Sequence, residues 1–343
     1  MIQKNNFLNL SIYSGAHALV DACSSVLVLF AINTGSSLFF YILLYNLLAF
    51  GLQLPFGCVN DLIKKPAFTA LVGCLLLILS IISAKFSLAA IVLAGTGNAL
   101  FHIGGGTIAL NLSPKKATMP GIFVAPGGIG LTLGIILARF KIFNPYPFIA
   151  LLLIVCVSFI IVKIPEIDYH KTRIKMFDFV ILIIMIFFIS IIIRSMVGLA
   201  INFPWKSNIL LMILFALSIA SGKAFGGLFA DKFGWSKIAS GSLLIAAPLL
   251  FFGSSIPVFG IAGIFLFNFT MPITLVAISN LLPGRPGLSF GLTTFALIAG
   301  AYPTFFHYKE IISQPVIIVL LTLLSSIIVF IGLKLYFRKS SIF

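Results

Sequence analysis

Acidic residues are almost missing from this sequence: seven Asp and Glu stand against 22 Lys and Arg in 343 residues. Charge of either sign is scarce, at 8% of the chain, where a soluble domain carries about 25%. That deficit excludes an ordinary water-soluble fold. Cysteine is limited to Cys23, Cys58, Cys74 and Cys156. They fall within or at the ends of apolar runs without metal-ligand spacing, so they read as small core residues rather than disulfides or ligands. His-Glu-x-x-His and Gly-x-Ser-x-Gly are absent, and no paired aspartates lie within the apolar runs. An enzyme is therefore not expected, nor a metal or a cofactor. His17 and Asp21 have the makings of a catalytic pair, but nothing near them offers an equally clear nucleophile. No stretch is left over for a nucleotide-binding domain, which argues against an ATP-driven pump.

What is there is apolar: 61% of residues are hydrophobic and the mean hydropathy is +1.22. Runs of roughly 20 apolar residues, enough to cross a bilayer, recur along the whole length. Twelve are predicted, at 7–31, 37–61, 66–84, 87–112, 118–139, 146–163, 177–201, 207–231, 236–252, 256–280, 287–306 and 314–336. The span at 236–252 is the tightest. No small-residue cleavage site follows the first run, which reads as a retained helix.

The surplus of positive charge is explained by its placement. With the N-terminus taken as cytoplasmic, the inside loops and tails hold fifteen Lys and Arg, against five outside. This is the positive-inside bias of a multi-span protein with both termini in the cytoplasm, not a nucleic-acid-binding surface. The longest charged connection, 164–176, divides the chain into two six-helix halves, 1–163 and 177–343. Duplicated helical halves are a transporter design that holds the substrate near the midplane.

A repeated punctuation supports the division. Gly227 and Asp231 in GKAFGGLFADKFGWSK lie 170 positions after Gly57 and Asp61 in LQLPFGCVNDLIKKPAF. Both copies follow the second helix of their half, on the cytoplasmic side. Glycine permits close helix packing, and an aspartate there can bond the N-terminus of a neighbouring helix or a lysine such as Lys232. Gly57, Asp61, Gly227, Asp231 and Lys232 are therefore candidate gating residues.

The stretch GGLFADKFGWSK resembles the signature between helices 2 and 3, often repeated between helices 8 and 9, of the major facilitator superfamily. Four further segments resemble the fosmidomycin resistance group of exporters within it: GAHALVDAC, GNALFHIGGG, GIFVAPGGIGLTLG and IIIRSMVGLAINFPW. The superfamily resemblance covers essentially the whole chain. It implies an all-α membrane protein of twelve helices in two pseudo-symmetric halves, able to work as a monomer. Where the exporter group usually carries Pro-Glu after the helix 4 histidine, this chain has Ile103 and Gly104.

Ionisable residues at membrane depth normally face a cavity or a partner. His17 and Asp21 share one face of helix 1, roughly 15 and 21 Å from Phe7. Arg194 is about as deep on helix 7, the counterpart of helix 1, which suggests an Asp21–Arg194 pair. His102 is near the middle of helix 4. Lys223 lies about 12 Å from the cytoplasmic end of helix 8. Asp21 and His17 are candidates for proton coupling, and Arg194, His102, Lys223 and Asn268 for substrate binding. Surplus positive charge in a cavity favours an organic anion. In helix 5, Pro126, Gly127, Gly130 and Gly134 resemble the glycine-proline signature associated with proton antiport. In helix 10, Thr270 and Thr274 add polar groups around Pro272.

The expected function is a secondary active transporter in a cell membrane, of the kind found in the bacterial cytoplasm's bounding membrane. It would exchange protons for an organic anion or drug and drive efflux, with resistance as the outcome. Uptake by a symporter or uniporter is the nearest alternative, and a channel or a membrane-embedded enzyme comes behind both.

Overall fold

Every predicted apolar run is a helix. The protein is represented by a computed structural model describing residues 2–32, 35–170, 177–306 and 308–340. Among those residues, ten helices are long and apolar enough to cross a membrane, and two shorter apolar helices complete the twelve. In chain order they are α1 (Asn5–Ala31), α2 (Leu38–Ile63), α3 (Pro66–Ile82), α4 (Ser87–Leu112), α5 (Thr118–Arg139) and α6 (Pro145–Ile161). The second set comprises α7 (Asp178–Ala200), α8 (Ile209–Phe233), α9 (Trp235–Phe252), α10 (Pro257–Leu281), α11 (Pro286–Phe305) and α12 (Pro315–Arg338). The shortest are α3 and α6, at 17 residues each, rather than the expected α9, which has 18. Both stop two residues before the predicted ends, at polar Ser83 and at extended Val162. Of the expected linker 164–176, residues 164–170 carry no regular structure, and 171–176 lie outside the described residues.

Local chemistry explains the boundaries. Five helices begin at a proline: Pro66, Pro145, Pro257, Pro286 and Pro315. The first helical position needs no N–H donor and suits the fixed φ of proline. Asn144 and Asn208 cap α6 and α8, accepting from Tyr146 N at 3.1 Å and Leu211 N at 3.2 Å. Gly234, at φ +100°, ends α8 and lets α9 start at once. Residues Asn268 and Phe269 interrupt α10. Pro272 falls in the first turn of the second segment, where its missing N–H leaves no bond unmade.

Packing divides the chain into two compact units. The first comprises 1–114, 126–169 and 285–294, and the second 115–125, 170–284 and 295–343. In the first, α3 and α4 approach backbone to backbone: a methyl on Gly73 would lie 2.4 Å from Phe101 N. Asn9 Nδ2 donates to the Lys163 carbonyl at 3.0 Å, and Asn6 Nδ2 to that of Leu112 at 3.0 Å, tying the start of α1 to its neighbours. In the second, Ser190 and Ser325 join α7 to α12 through their hydroxyls at 2.9 Å, and Ser326 donates to the Ser240 carbonyl at 3.0 Å. Such bonds between small polar residues hold helices together where lipid offers no hydrophobic drive.

Candidate functional site

In the first unit, α1 and α4 bring three ionisable side chains together. His17 Nε2 lies 2.9 Å from His102 Nε2 and 3.3 Å from Asp21 Oδ2, one turn away. His102 Nε2 is 3.7 Å from Asp21 Oδ1, and the two imidazoles meet edge to face. Asn98, one turn before His102, braces the group twice. Its Nδ2 donates to Asp21 Oδ1 at 3.0 Å, and its carbonyl lies 2.9 Å from His102 Nδ1. A carbonyl only accepts, so Nδ1 of His102 carries a proton, and its Nε2 turns towards His17. Both histidines are buried, while the Asp21 side chain keeps 20% of its surface exposed.

The helix 5 motif forms the other wall. Gly127, Gly130 and Gly134 all face α1: a methyl on them would lie 2.3 Å from His17 Nε2, 2.0 Å from the Ala18 carbonyl and 2.3 Å from Ser25 Oγ. Pro126, within α5, leaves the Ile122 carbonyl without its usual helical donor. At position 104 a side chain is excluded, since a methyl there would meet the Pro66 carbonyl at 2.4 Å. The missing helix 4 acid therefore coincides with close packing of α4 on the start of α3.

In the second unit, Arg194 on α7 reaches across to the break in α10. Its Nη1 donates to Thr270 Oγ1, and its Nη2 to Thr274 Oγ1 at 2.9 Å. Those hydroxyls donate onward to backbone carbonyls of α10, which leaves their lone pairs for the guanidinium. Arg194 is 8% exposed; among the described residues its Nε has no hydrogen-bond partner and no carboxylate lies within ion-pair distance of it. The sequence suggested pairing Asp21 with Arg194; the bonded partners seen for each lie in its own unit. Lys223, on α8, donates to the Val124 carbonyl at 3.4 Å. Asn268 sits at the α10 break and gives its amide to the Ile264 carbonyl at 2.8 Å.

Both punctuating aspartates sit at helix N-termini. Asp231 accepts from Ala117 N at 3.0 Å and Thr118 N at 2.9 Å, at the start of α5. Asp61 accepts from Gly287 N and Leu288 N, both at 2.8 Å, at the start of α11. Gly57 and Gly227, one turn earlier, permit the approach. A methyl on either would lie 2.3 Å from the Gly287 carbonyl or 2.4 Å from that of Ala117. Lys232 is exposed, with Nζ 5.2 Å from the centre of the Phe233 ring.

Asn98 and the capped segments 117–118 and 287–288 were not singled out from sequence. Asn98 lies at helical spacing from His102, and Thr118, Gly121, Leu288 and Gly291 repeat the 170-residue offset. Those signals were present.

No family model and no curated protein matches the chain. Its architecture does match solved structures. The major facilitator superfamily transporter FucP in the outward conformation superposes with a TM-score of 0.69 at 12% identity, over 97% of this chain and 99% of that one. The fold is that of the major facilitator superfamily. A bacterial homologue of the iron transporter ferroportin matches with a TM-score of 0.58 at 16% identity, over 99% and 100% of the two chains. The human organic anion transporter MFSD10 matches with 0.56 at 13%, over 93% and 83%. Within the major facilitator fold, the His17–Asp21–His102 cluster belongs to the first and fourth helices, and Arg194 to the seventh.

Proposed function

We propose that the chain is a secondary active transporter, without enzymatic activity, that moves a small organic anion across a cell membrane by alternating access. One observation carries the reading: the buried Arg194 guanidinium is held by two threonine hydroxyls, with no carboxylate at ion-pair distance among the described residues. A buried charge without a counter-charge costs several kcal/mol, and an anionic substrate supplies one. A carboxylate or phosphonate suits the planar fork of the guanidinium.

Coupling to protons is assigned to Asp21 with His17, and His102 extends that group. Lys223 draws anions towards the site. The Asp61 and Asp231 caps act as gate contacts that form in one state and break in another, between halves 1–163 and 177–343. Export is the favoured direction because α5 carries the glycine-proline face against α1, similar to that of antiporting exporters. Uptake by symport is the rival, favoured by the fold shared with FucP, whose E. coli form is a fucose:proton symporter.

The test uses proteoliposomes holding a pH-sensitive dye under an imposed proton gradient, challenged with organic anions and with cationic drugs. Anions alone should trigger proton flux, Arg194→Ala should abolish the response, and Asp21→Asn should uncouple it. The sign of flux separates antiport from symport. Flux triggered by cations and unchanged in Arg194→Ala would overturn the anion reading.

A further inference from the structure

Two imidazoles and a carboxylate converge where His17, Asp21 and His102 meet. His102 gives its Nδ1 proton to the Asn98 carbonyl, which turns its Nε2 towards the other two side chains. That nitrogen lies 2.9 Å from His17 Nε2, and the Asp21 oxygens stand at 3.3 Å from one imidazole and 3.7 Å from the other. A cation bound among them would take a lone pair from each residue.

Three further features are those of a metal site. One ligand atom from each residue lies within 4.8 Å of the others. Asn98 supports two of the three: its carbonyl fixes the His102 tautomer and its amide holds the carboxylate. This is the outer-shell bracing that ligating histidines and carboxylates receive. Third, Gly127 places no side chain where the ligand atoms point. A methyl there would lie 2.3 Å from His17 Nε2 and 2.7 Å from Asp21 Oδ2, so any side chain at 127 would press on both ligand atoms. The partial exposure of Asp21 leaves a way in.

We propose that His17 Nε2, His102 Nε2 and the Asp21 carboxylate bind one divalent transition-metal ion, of the borderline class that includes Zn²⁺ and Co²⁺. Two imidazoles and a carboxylate suit these ions rather than Mg²⁺ or Ca²⁺, which prefer oxygen ligands. At metal–nitrogen distances of about 2.0 Å in tetrahedral geometry, the two nitrogens stand about 3.3 Å apart. Binding therefore opens the present contact by a few tenths of an ångström. Three protein ligands leave a fourth position for water or a solute.

The experiment is a Co²⁺ titration of the full chain, freed of any oligohistidine tag, in detergent without gradient or organic solute. It reads binding directly, so its outcome is independent of the transport reading. One Co²⁺ per chain should bind with ligand-field absorption, and Zn²⁺ but not Mg²⁺ should displace it. His102→Gln and Asp21→Asn should weaken binding by more than about a hundredfold, and Asn98→Ala and Gly127→Ala by about tenfold or more. Lys309→Gln, in the short helix Tyr308–Ile312, should bind like the parent. Absence of stoichiometric binding, or binding unchanged in all four cluster variants, overturns the proposal. Should the variants fail to fold, X-ray absorption on the Zn²⁺-loaded parent decides. Scattering from two imidazoles supports the site, and its absence overturns it.

Discussion

The two aspartate caps are the same device with different side-chain donors around it. Asp61 and Asp231 are 170 positions apart, and so are their capped partners: Ala117 with Gly287, and Thr118 with Leu288. Gly121 and Gly291 continue the correspondence one turn further on. Each aspartate holds two backbone N–H groups at a helix N-terminus, where the helix dipole favours negative charge. Asp231 gains two more donors: the Thr118 hydroxyl at 2.6 Å and the Trp235 indole at 3.1 Å. The positions corresponding to these carry Leu288 and Lys65, which offer neither a hydroxyl nor an indole. Beside Asp61 stands Tyr169, whose buried hydroxyl has no hydrogen-bond partner among the described residues. Burial, and then the Asp61 carboxylate, push that phenol above the ordinary tyrosine range. The repeat thus keeps the backbone contact and lets the side-chain support diverge.

The comparison breaks or sharpens in thermal unfolding of purified variants. Asp231→Ala orphans four donors and should cost about 3 kcal/mol, against about 2 kcal/mol for Asp61→Ala. A larger loss at Asp61 would reverse the ranking. Gly57→Ala and Gly227→Ala drive a methyl into backbone carbonyls at 2.3 and 2.4 Å, and each should cost about 2 kcal/mol. Unequal losses would show that one contact relaxes and the other does not. Thr118→Val removes one side-chain donor, for about 1 kcal/mol, and Leu288→Thr, its mirror, should strengthen the Asp61 cap by a smaller amount. Tyr169→Phe should be neutral or stabilise by up to about 1 kcal/mol, since it removes a buried hydroxyl with no partner among the described residues. Clear destabilisation there would mean that the hydroxyl has a role at the Asp61 cap.

The helices were legible because their signals are local. A run of about 20 apolar residues declares itself, and Pro66, Pro145, Pro257, Pro286 and Pro315 mark starts within a residue. The short ends of α3 and α6 were missed because apolar Ala84 and Val162 carry the hydropathy past the last helical residues, Ile82 and Ile161. The site was half legible. Helical spacing placed His17 beside Asp21, and the cost of charge in lipid singled out Arg194, His102 and Lys223. Asn98 escaped notice because an uncharged amide in a membrane helix is usually glue.

By itself, then, the sequence determined the number, order and near-exact extent of the helices, and the repeat that relates Asp61 to Asp231. Those follow from hydropathy, proline and glycine, which act over a turn or a span. Only the tertiary structure decided which rare polar groups meet: Asp21 with His17, His102 and Asn98, Arg194 with Thr270 and Thr274, and each aspartate with its helix N-terminus. Helices apolar on nearly every face carry little periodicity to fix their rotation, so these partnerships depend on how glycine-lined surfaces bring distant backbones together.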